Sequence, residues 1–191
     1  ETLLRVSTRI AERSEDFAGL VTAESGKPLT WALAEVGRAA SVFRLAAEET
    51  RRWSGEVMRL DTDRAAEGRM AYVRRCPKGP VLAISPFNFP LNLAAHKVAP
   101  ALAVGAPVVL KPAPKTPLSA LLLAETMHEA MVEHGLPPGM VSVLNDPEPP
   151  TALATPRARA WQPASPRTGR PGHPGWPGTR GALRAVPRPT A

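Results

Sequence analysis

The sequence predicts an α/β fold in which N-terminal helices precede a βαβαβ unit with a parallel sheet, and a tail of irregular chain follows. Three observations support this prediction. Apolar residues recur at helical spacing from Leu3 to about Trp53. From Gly79 onward, short apolar runs alternate with longer helical patterns, which is typical of parallel strands joined by crossover helices. Both patterns stop after Asn145.

Three helices are predicted at the N terminus. Ser14 is the expected N-cap of the second helix, and Gly26-Lys27-Pro28 is its expected stop. The apolar positions at helical spacing are Leu3, Leu4, Val6 and Ile10 in the first helix, Phe17, Leu20 and Val21 in the second, and Leu33, Val36, Ala40, Phe43 and Ala47 in the third.

Residues 56–76 predict a pair of extended strands. The runs "EVMRL" and "RMAYVRR" alternate with period two, and the polar link "DTDRAAEG" separates them. We expect these two strands to form a pair outside the βαβαβ unit.

From Gly79 the chain predicts strand, helix, strand, helix and strand in that order. The strands are "PVLAIS", "PVVLK" and "MVSVLN". The helices run from Pro90 to Val104, closed by Gly105, and from Thr116 as N-cap with Pro117 as the first helical residue, closed by Gly135. This order predicts helices packed across a parallel sheet.

Residues 146–191 form a tail of different composition. They contain 11 Pro, 5 Gly and 7 Arg but no Lys, Ile, Phe, Tyr, Asn or Met. Such a segment buries too little apolar surface to offset its chain entropy, so we expect disorder. Two origins stay open: a GC-rich gene read out of frame, which yields this composition, or a genuine basic, proline-rich interaction tail.

Charge and cysteine content argue against several classes of function. The net charge of +7 is concentrated in the tail, because residues 1–145 carry only +2, so we expect no nucleic-acid partner. The lone Cys76 permits neither an intrachain disulfide nor a multi-cysteine metal site, and we expect a cytoplasmic protein without a metal.

The richest apolar stretch, residues 91–110, contains His96, Lys97 and Pro100, so no membrane span is expected. The chain starts at Glu1 in a helical pattern, and we expect it to be a piece of a longer protein.

Polar residues stand at the ends of the first two predicted sheet strands, in "SPFNFP" and "LKPAPKTP". Ligands of open parallel sheets bind beyond the carboxyl ends of the strands. The Asn88 amide, held between aromatics and prolines, is suited to donate to an oxyanion; the alternative is that it stabilises the turn or caps the next helix. Lys111 is suited to ribose hydroxyls or a phosphate; the alternative is a solvated lysine at a strand end.

The run "GPVLAISPFNFPLNLAAHKVAPALAVGAPVVLKPAPKTPLSALLLAE", with "AESGKP" upstream and "GLPPGMVSVLN" downstream, resembles the aldehyde dehydrogenase superfamily. The resemblance covers about residues 1–145 and not 146–191. It implies a Rossmann-like cofactor domain, here partial and made of residues 1–55 and 77–145, and the beginning of an oligomerisation strand pair at 56–76. It also implies a homo-oligomer that oxidises a small-molecule aldehyde to a carboxylic acid with NAD or NADP.

The resemblance assigns roles to individual residues. Asn88 corresponds to the asparagine that helps hold the oxyanion, and Lys111 to the lysine that hydrogen-bonds the adenosine ribose. The turn against which the nicotinamide end of the cofactor lies corresponds to Ile84, Ser85, Pro86 and Phe87, and the residues directed toward the aldehyde tunnel correspond to Leu93 and His96.

Three departures from the family pattern matter. Pro114 stands where many NAD-preferring members have a glutamate, so a ribose acceptor and a charge that would repel a 2′-phosphate are both missing, and NADP stays open. The catalytic cysteine and the general-base glutamate of the family lie beyond the matching region, and Cys76 precedes the first sheet strand, where it is not expected to be the nucleophile. We therefore expect a truncated, inactive fragment of an aldehyde dehydrogenase; the alternative is a non-catalytic nucleotide-binding or interaction protein with a basic tail.

Overall fold

The structure, a computed structural model, describes residues 1–137, 139–145 and the backbone of 184–187. These residues form two compact units: residues 1–50 with the described part of 79–145, and residues 51–78 with 184–187. The predicted disorder of the tail otherwise lies outside the described residues.

Three helices open the first unit: α1 (Thr2–Glu12), α2 (Ser14–Ser25) and α3 (Leu29–Thr50). Helix α2 ends at Gly26, whose φ of 71° is left-handed and therefore favours glycine; this confirms the predicted stop. The predicted N-cap is wrong, because Arg13 occupies the cap position and Ser14 is already helical. Helix α1 continues almost directly into α2, which leaves no extended residue for Ser14 to act as a cap.

The βαβαβ prediction is confirmed. Its elements are β3 (Val81–Ile84), α4 (Pro90–Ala103), β4 (Val108–Lys111), α5 (Leu118–Glu133) and β5 (Val141–Val143), which follow strands β1 (Glu56–Arg59) and β2 (Arg69–Val73) of the second unit. The sheet order is β3-β4-β5, and both neighbouring pairs are parallel. The sheet therefore places the carboxyl ends of all three strands at one edge.

One hydrophobic core joins the N-terminal helices to this sheet. Helix α3 packs against α1, α2 and α4, while α5 packs against α1, α2 and β5. The largest apolar side chains that this core buries fully are Phe17, Phe43, Ile10, Leu91, Leu110, Leu123 and Met127. The helices of residues 1–50 thus act as a cover for the crossover helices rather than as a separate domain.

Ion pairs connect α1 to the end of α5. The Arg5 guanidinium donates through Nε to Glu133 at 3.0 Å, and Arg9 donates to Glu133 at 3.1 Å and also pairs with Glu129. The hydrogen bond from Arg5 lowers the pKa of the Glu133 carboxyl below its ordinary value, and the same bond raises the pKa of Arg5. The Glu133 carboxylate is exposed, so solvent screens these pairs.

The second unit contains the predicted strand pair. Strands β1 and β2 are antiparallel, with Glu56 opposite Val73 and Arg59 opposite Met70. Between them, Ala65 donates its amide to the Asp63 carboxylate at 2.9 Å in a short 3₁₀ turn. The other edge of β2 pairs antiparallel with β6 (Arg184–Pro187), so these four tail residues form a strand where the sequence predicted none. Their backbone groups bond to β2, and that pairing does not depend on an apolar pattern.

Within 1–137 and 139–145, no helix combines the length and the apolar composition needed to cross a membrane.

Candidate active site

The first two sheet strands end side by side. Ile84, the last residue of β3, lies opposite Lys111, the last residue of β4. Just beyond, the Ser85 amide donates to the Lys111 carbonyl oxygen at 3.0 Å. The Lys115 ammonium lies 5.7 Å from the centre of the Phe87 ring. The structure thus brings together the two segments that the sequence singled out, residues 84–88 and 111–115.

Lys111 is buried, with only 2% of its surface exposed. The alternative of a solvated lysine at a strand end is therefore wrong. A charged ammonium in such surroundings requires partners, because burying an unpaired charge is costly. The surrounding protein therefore encloses almost the whole of this side chain.

The turn after β3 is mostly exposed. Ser85 is buried, whereas Ile84 and Phe87 are exposed at 38% and 56%, and Pro86 and Asn88 are exposed as well. Exposed aromatic and aliphatic side chains beside a strand end offer an apolar surface for a ligand. The turn therefore presents exposed apolar side chains followed by one side-chain amide, that of Asn88.

Asn88 does not cap helix α4. Phe89 occupies the N-cap position without a side-chain hydrogen bond, and Pro90, at the first helical position, has no amide hydrogen. The next two amides, of Leu91 and Asn92, both donate to Glu35 Oε1 at 3.0 Å. Because Glu35 takes the capping role, this alternative function for Asn88 is removed.

Glu35 and Lys27 were missed by the sequence reasoning. Glu35 lies on α3 with no exposed surface, and its Oε2 forms an ion pair with Lys27 Nζ. Lys27 Nζ also donates to the Asn88 carbonyl oxygen at 3.0 Å and lies 4.0 Å from the centre of the Phe89 ring. The available signal was Lys27 within "AESGKP", a run that carried the resemblance without any role being assigned to its residues.

A second glutamate caps the second crossover helix. Glu24 of α2 accepts from the amides of Leu118 and Ser119 at 2.7 Å and 3.1 Å. The prediction that Thr116 caps this helix is wrong: its hydroxyl has no hydrogen-bond partner among the described residues, and Pro117 holds the cap position. A carboxylate accepts more strongly than a hydroxyl, particularly at the positive end of a helix.

The other predicted site residues lie on α4 and in the connection between β4 and α5. Leu93 is half-buried and His96 is exposed; three residues apart on α4, they share a face. Pro114 is exposed in the connection between β4 and α5. Cys76 belongs to the second unit and is an exposed free thiol. In 1–137 and 139–145, no three histidine, cysteine, aspartate or glutamate side chains come together in a way that could hold a metal ion.

The sequence profile described as "Aldehyde dehydrogenase family" matches residues 1–156. A 3-sulfolactaldehyde dehydrogenase of Priestia aryabhattai is 44% identical over 144 residues, which cover 75% of this chain and 29% of that protein. This chain thus spans less than a third of the length of that relative.

Solved structures of dehydrogenases are also similar to this chain over part of their length. Aldehyde dehydrogenase 21 of Physcomitrella patens, in complex with succinate, is 48% identical with a TM-score of 0.71 over 75% of this chain and 29% of its own. A glyceraldehyde-3-phosphate dehydrogenase of Methanocaldococcus jannaschii, in complex with NADP, is 37% identical with a TM-score of 0.69 over 75% of this chain and 30% of its own.

Proposed function

This chain belongs to the aldehyde dehydrogenase family, and from that premise we propose that a protein carrying residues 1–145 oxidises an aldehyde to the carboxylic acid with NAD or NADP. The supporting observation is that Asn88, exposed in the turn whose first residue bonds to Lys111, is free of the capping role that Glu35 fills. An amide on a fixed turn at a strand end has the position and chemistry of an oxyanion donor.

Asn88 acts on the reacting carbonyl. When a cysteine thiolate of the full-length protein adds to the aldehyde, the carbonyl oxygen becomes an oxyanion, and the Asn88 amide donates to it. The carbonyl of Asn88 already accepts from Lys27, so the backbone that carries the amide is held in place before the reaction. Loss of hydride to the bound cofactor would convert this adduct into a thioester of the cysteine, and water activated by a glutamate outside this chain would then release the acid.

The two strand ends supply the residues that would hold the cofactor. Lys111 would donate to the adenosine ribose, and the turn of Ile84, Ser85, Pro86 and Phe87 would support the nicotinamide end. The bound cofactor supplies the hydride acceptor. The exposure of Phe87 fits this arrangement, since its ring offers an apolar surface. Support for NADP comes from the relative of Methanocaldococcus jannaschii, which binds it.

The remaining assignments follow from the same proposal. Leu93 and His96 line the approach of the aldehyde along α4, and the strand pair within 56–76 contributes to a homo-oligomer. The exposed, unpaired Cys76 fits a reducing compartment such as the cytoplasm. The near-neutral charge of residues 1–145 supports a small molecule rather than a nucleic acid as the partner.

Steady-state kinetics test this proposal in a full-length protein that carries residues 1–145. Asn88→Ala is expected to lower kcat on the order of a hundredfold, because it removes an interaction made only in the transition state. Lys111→Ala is expected to raise the KM of the cofactor with a smaller change in kcat, because a ribose contact is made before and during hydride transfer. Equal and modest effects of both substitutions would favour a purely structural role for Asn88.

A further inference from the structure

We propose that Lys27 and Glu35 are positioning residues for Asn88, and that they form a charged clasp between α3, the α2–α3 connection and the turn before α4. The clasp consists of the Lys27–Glu35 ion pair and its bonds to residues 88, 91 and 92. The inference rests on the proposed function of Asn88, but its structural part can be measured separately.

The carboxylate of Glu35 uses both of its oxygens. Oε1 accepts from the amides of Leu91 and Asn92, and Oε2 pairs with Lys27. The side chain has no exposed surface, so water does not replace these bonds when they are lost. The amides belong to the first turn of α4, where the positive end of the helix also favours a carboxylate. Glu35 therefore fixes the beginning of α4 relative to α3.

Lys27 extends this attachment to the turn itself. Its ammonium donates to the Asn88 carbonyl oxygen at 3.0 Å and lies over the Phe89 ring at 4.0 Å, and Arg38 lies 5.1 Å from the same ring. Lys27 thus contacts the main-chain carbonyl of Asn88 and the side-chain ring of Phe89. Because only 15% of its side chain is exposed, its attraction to Glu35 is weakly screened.

The two residues depend on each other. Removing one member of a buried ion pair leaves the other charge without compensation, which costs more than the pair contributes. Lys27→Met leaves Glu35 as an unpaired buried carboxylate, and Glu35→Gln presents an amide group to the Lys27 ammonium. Either change is expected to shift the turn that carries Asn88. Small displacements of a catalytic group matter: a shift of about 1 Å lowers rates on the order of a hundredfold.

Glu24 offers a matched control. It caps α5 with two amide bonds, as Glu35 caps α4, but its bonds go to Leu118 and Ser119 and not to the turn of residues 85–89. A loss of stability that comes only from removing a helix cap is therefore expected on substitution of either glutamate. A loss of protection in residues 85–89, or of kcat, that comes from moving Asn88 is expected only on substitution of Glu35 or Lys27.

The first test is hydrogen–deuterium exchange on the 191-residue chain. Lys27→Met and Glu35→Gln are expected to raise deuterium uptake in the segment 85–93, while Glu24→Gln raises it only near 118–121. Lys27→Arg keeps the charge and is expected to restore protection, which also separates a local effect from general unfolding. Unchanged uptake in 85–93 for both Lys27→Met and Glu35→Gln would overturn the clasp.

The second test is a double-mutant cycle in a full-length protein that carries residues 1–145. Lys27→Met is expected to lower kcat by tenfold to a hundredfold, on the order of the loss for a misplaced group, with little change in the KM of the cofactor. In the Asn88→Ala background, Lys27→Met should lower kcat almost no further, because the amide that Lys27 positions is already absent.

The outcomes separate the two proposals. If Asn88→Ala leaves kcat unchanged, the proposed function of Asn88 fails. If Asn88→Ala lowers kcat but Lys27→Met does not, or lowers it equally in both backgrounds, the positioning role fails while the function of Asn88 stands. Recovery of kcat by Lys27→Arg, together with the non-additive cycle, supports the positioning role.

Discussion

The amide of Ser85 donates to the carbonyl oxygen of Lys111 at 3.0 Å, one residue beyond the last paired position of strands β3 and β4. This bond continues the parallel ladder into the turn, so both strands end at the same level. The segments that follow, residues 86–88 and 112–115, consequently leave from one edge of the sheet. The juxtaposition of Lys111 with the beginning of the turn that carries Asn88 is therefore a result of strand register.

The carboxylate cap of α5 is expected to contribute measurably to stability. Glu24→Ala leaves the amides of Leu118 and Ser119 without their acceptor and should lower the free energy of unfolding by about 1 kcal/mol, as for other N-cap losses. The measurement is urea denaturation followed by circular dichroism. Glu125→Ala, at an exposed position in the middle of the same helix, is the control and should change stability much less. Equal losses for both variants would contradict the capping role.

Sequence patterns predicted the helices and strands well, because the signals for these elements lie within the elements or directly beside them. Pro90 at the start of α4 and Gly26 after α2 act through their own backbone preferences, which do not depend on the fold. The α/β class, the helices and the parallel order of the three strands were therefore predictable. Position 116 shows the limit, because Thr116 has the right chemistry for a cap but its hydroxyl has no partner among the described residues.

The contacts that hold the candidate site were not predictable in this way. Lys27 and Asn88 are 61 residues apart, and Glu24 and Leu118 are 94 residues apart. No periodicity in the sequence encodes such pairs, since they form only after the helices have packed. Glu35 illustrates the difficulty: a glutamate on a predicted helix is expected on the solvated face, and only the packed structure shows that it is fully buried.

The pair of Arg5 and Glu133 predicts a pH dependence of stability. The hydrogen bond from Arg5 lowers the pKa of Glu133 from the ordinary 4.5, so the unfolded chain binds more protons than the folded one just below that pH. The stabilisation is fully present above pH 4.5 and is lost as the pH falls through the lower, folded value. Glu133→Gln should therefore be less stable than the wild type at about pH 7, with a difference that shrinks below pH 4.5.

Urea midpoints measured at a series of pH values test this dependence. The effect is expected to be small, because both side chains are partly solvated. It should also decrease as salt is added, since salt screens exposed charges. A difference between Glu133→Gln and the wild type that grows with acidity would contradict the assignment.

The 191-residue chain by itself is expected to show no NAD(P)-dependent aldehyde oxidation. Its single cysteine, Cys76, precedes β3 and lies in the other compact unit from Asn88 and Lys111. Without a covalent nucleophile, positioning of substrate and cofactor does not replace the missing step. The measurement is NAD(P)H absorbance with a panel of aldehydes. Turnover that is lost in Cys76→Ser would show that Cys76 is the nucleophile, and turnover that survives would show a different chemistry.

Cofactor choice is expected to depend on Pro114. This exposed residue lies three positions after Lys111, beside the proposed ribose site. A glutamate there would accept from a ribose hydroxyl of NAD and would repel the 2′-phosphate of NADP, while proline does neither. In a full-length protein that carries residues 1–145, Pro114→Glu should raise the KM for NADP by about tenfold relative to that for NAD, since like charges brought together in a binding site cost free energy.

Pro114→Gln is the matched control, because glutamine has about the size of glutamate and also removes the proline ring, but carries no charge. If the charge is responsible, Pro114→Gln should leave the ratio of the two KM values near that of the wild type, and added salt should reduce the difference between the two variants. A shift of equal size in both variants would attribute the effect to the altered backbone of the connection between β4 and α5, and no shift in either would place the 2′-phosphate away from residue 114.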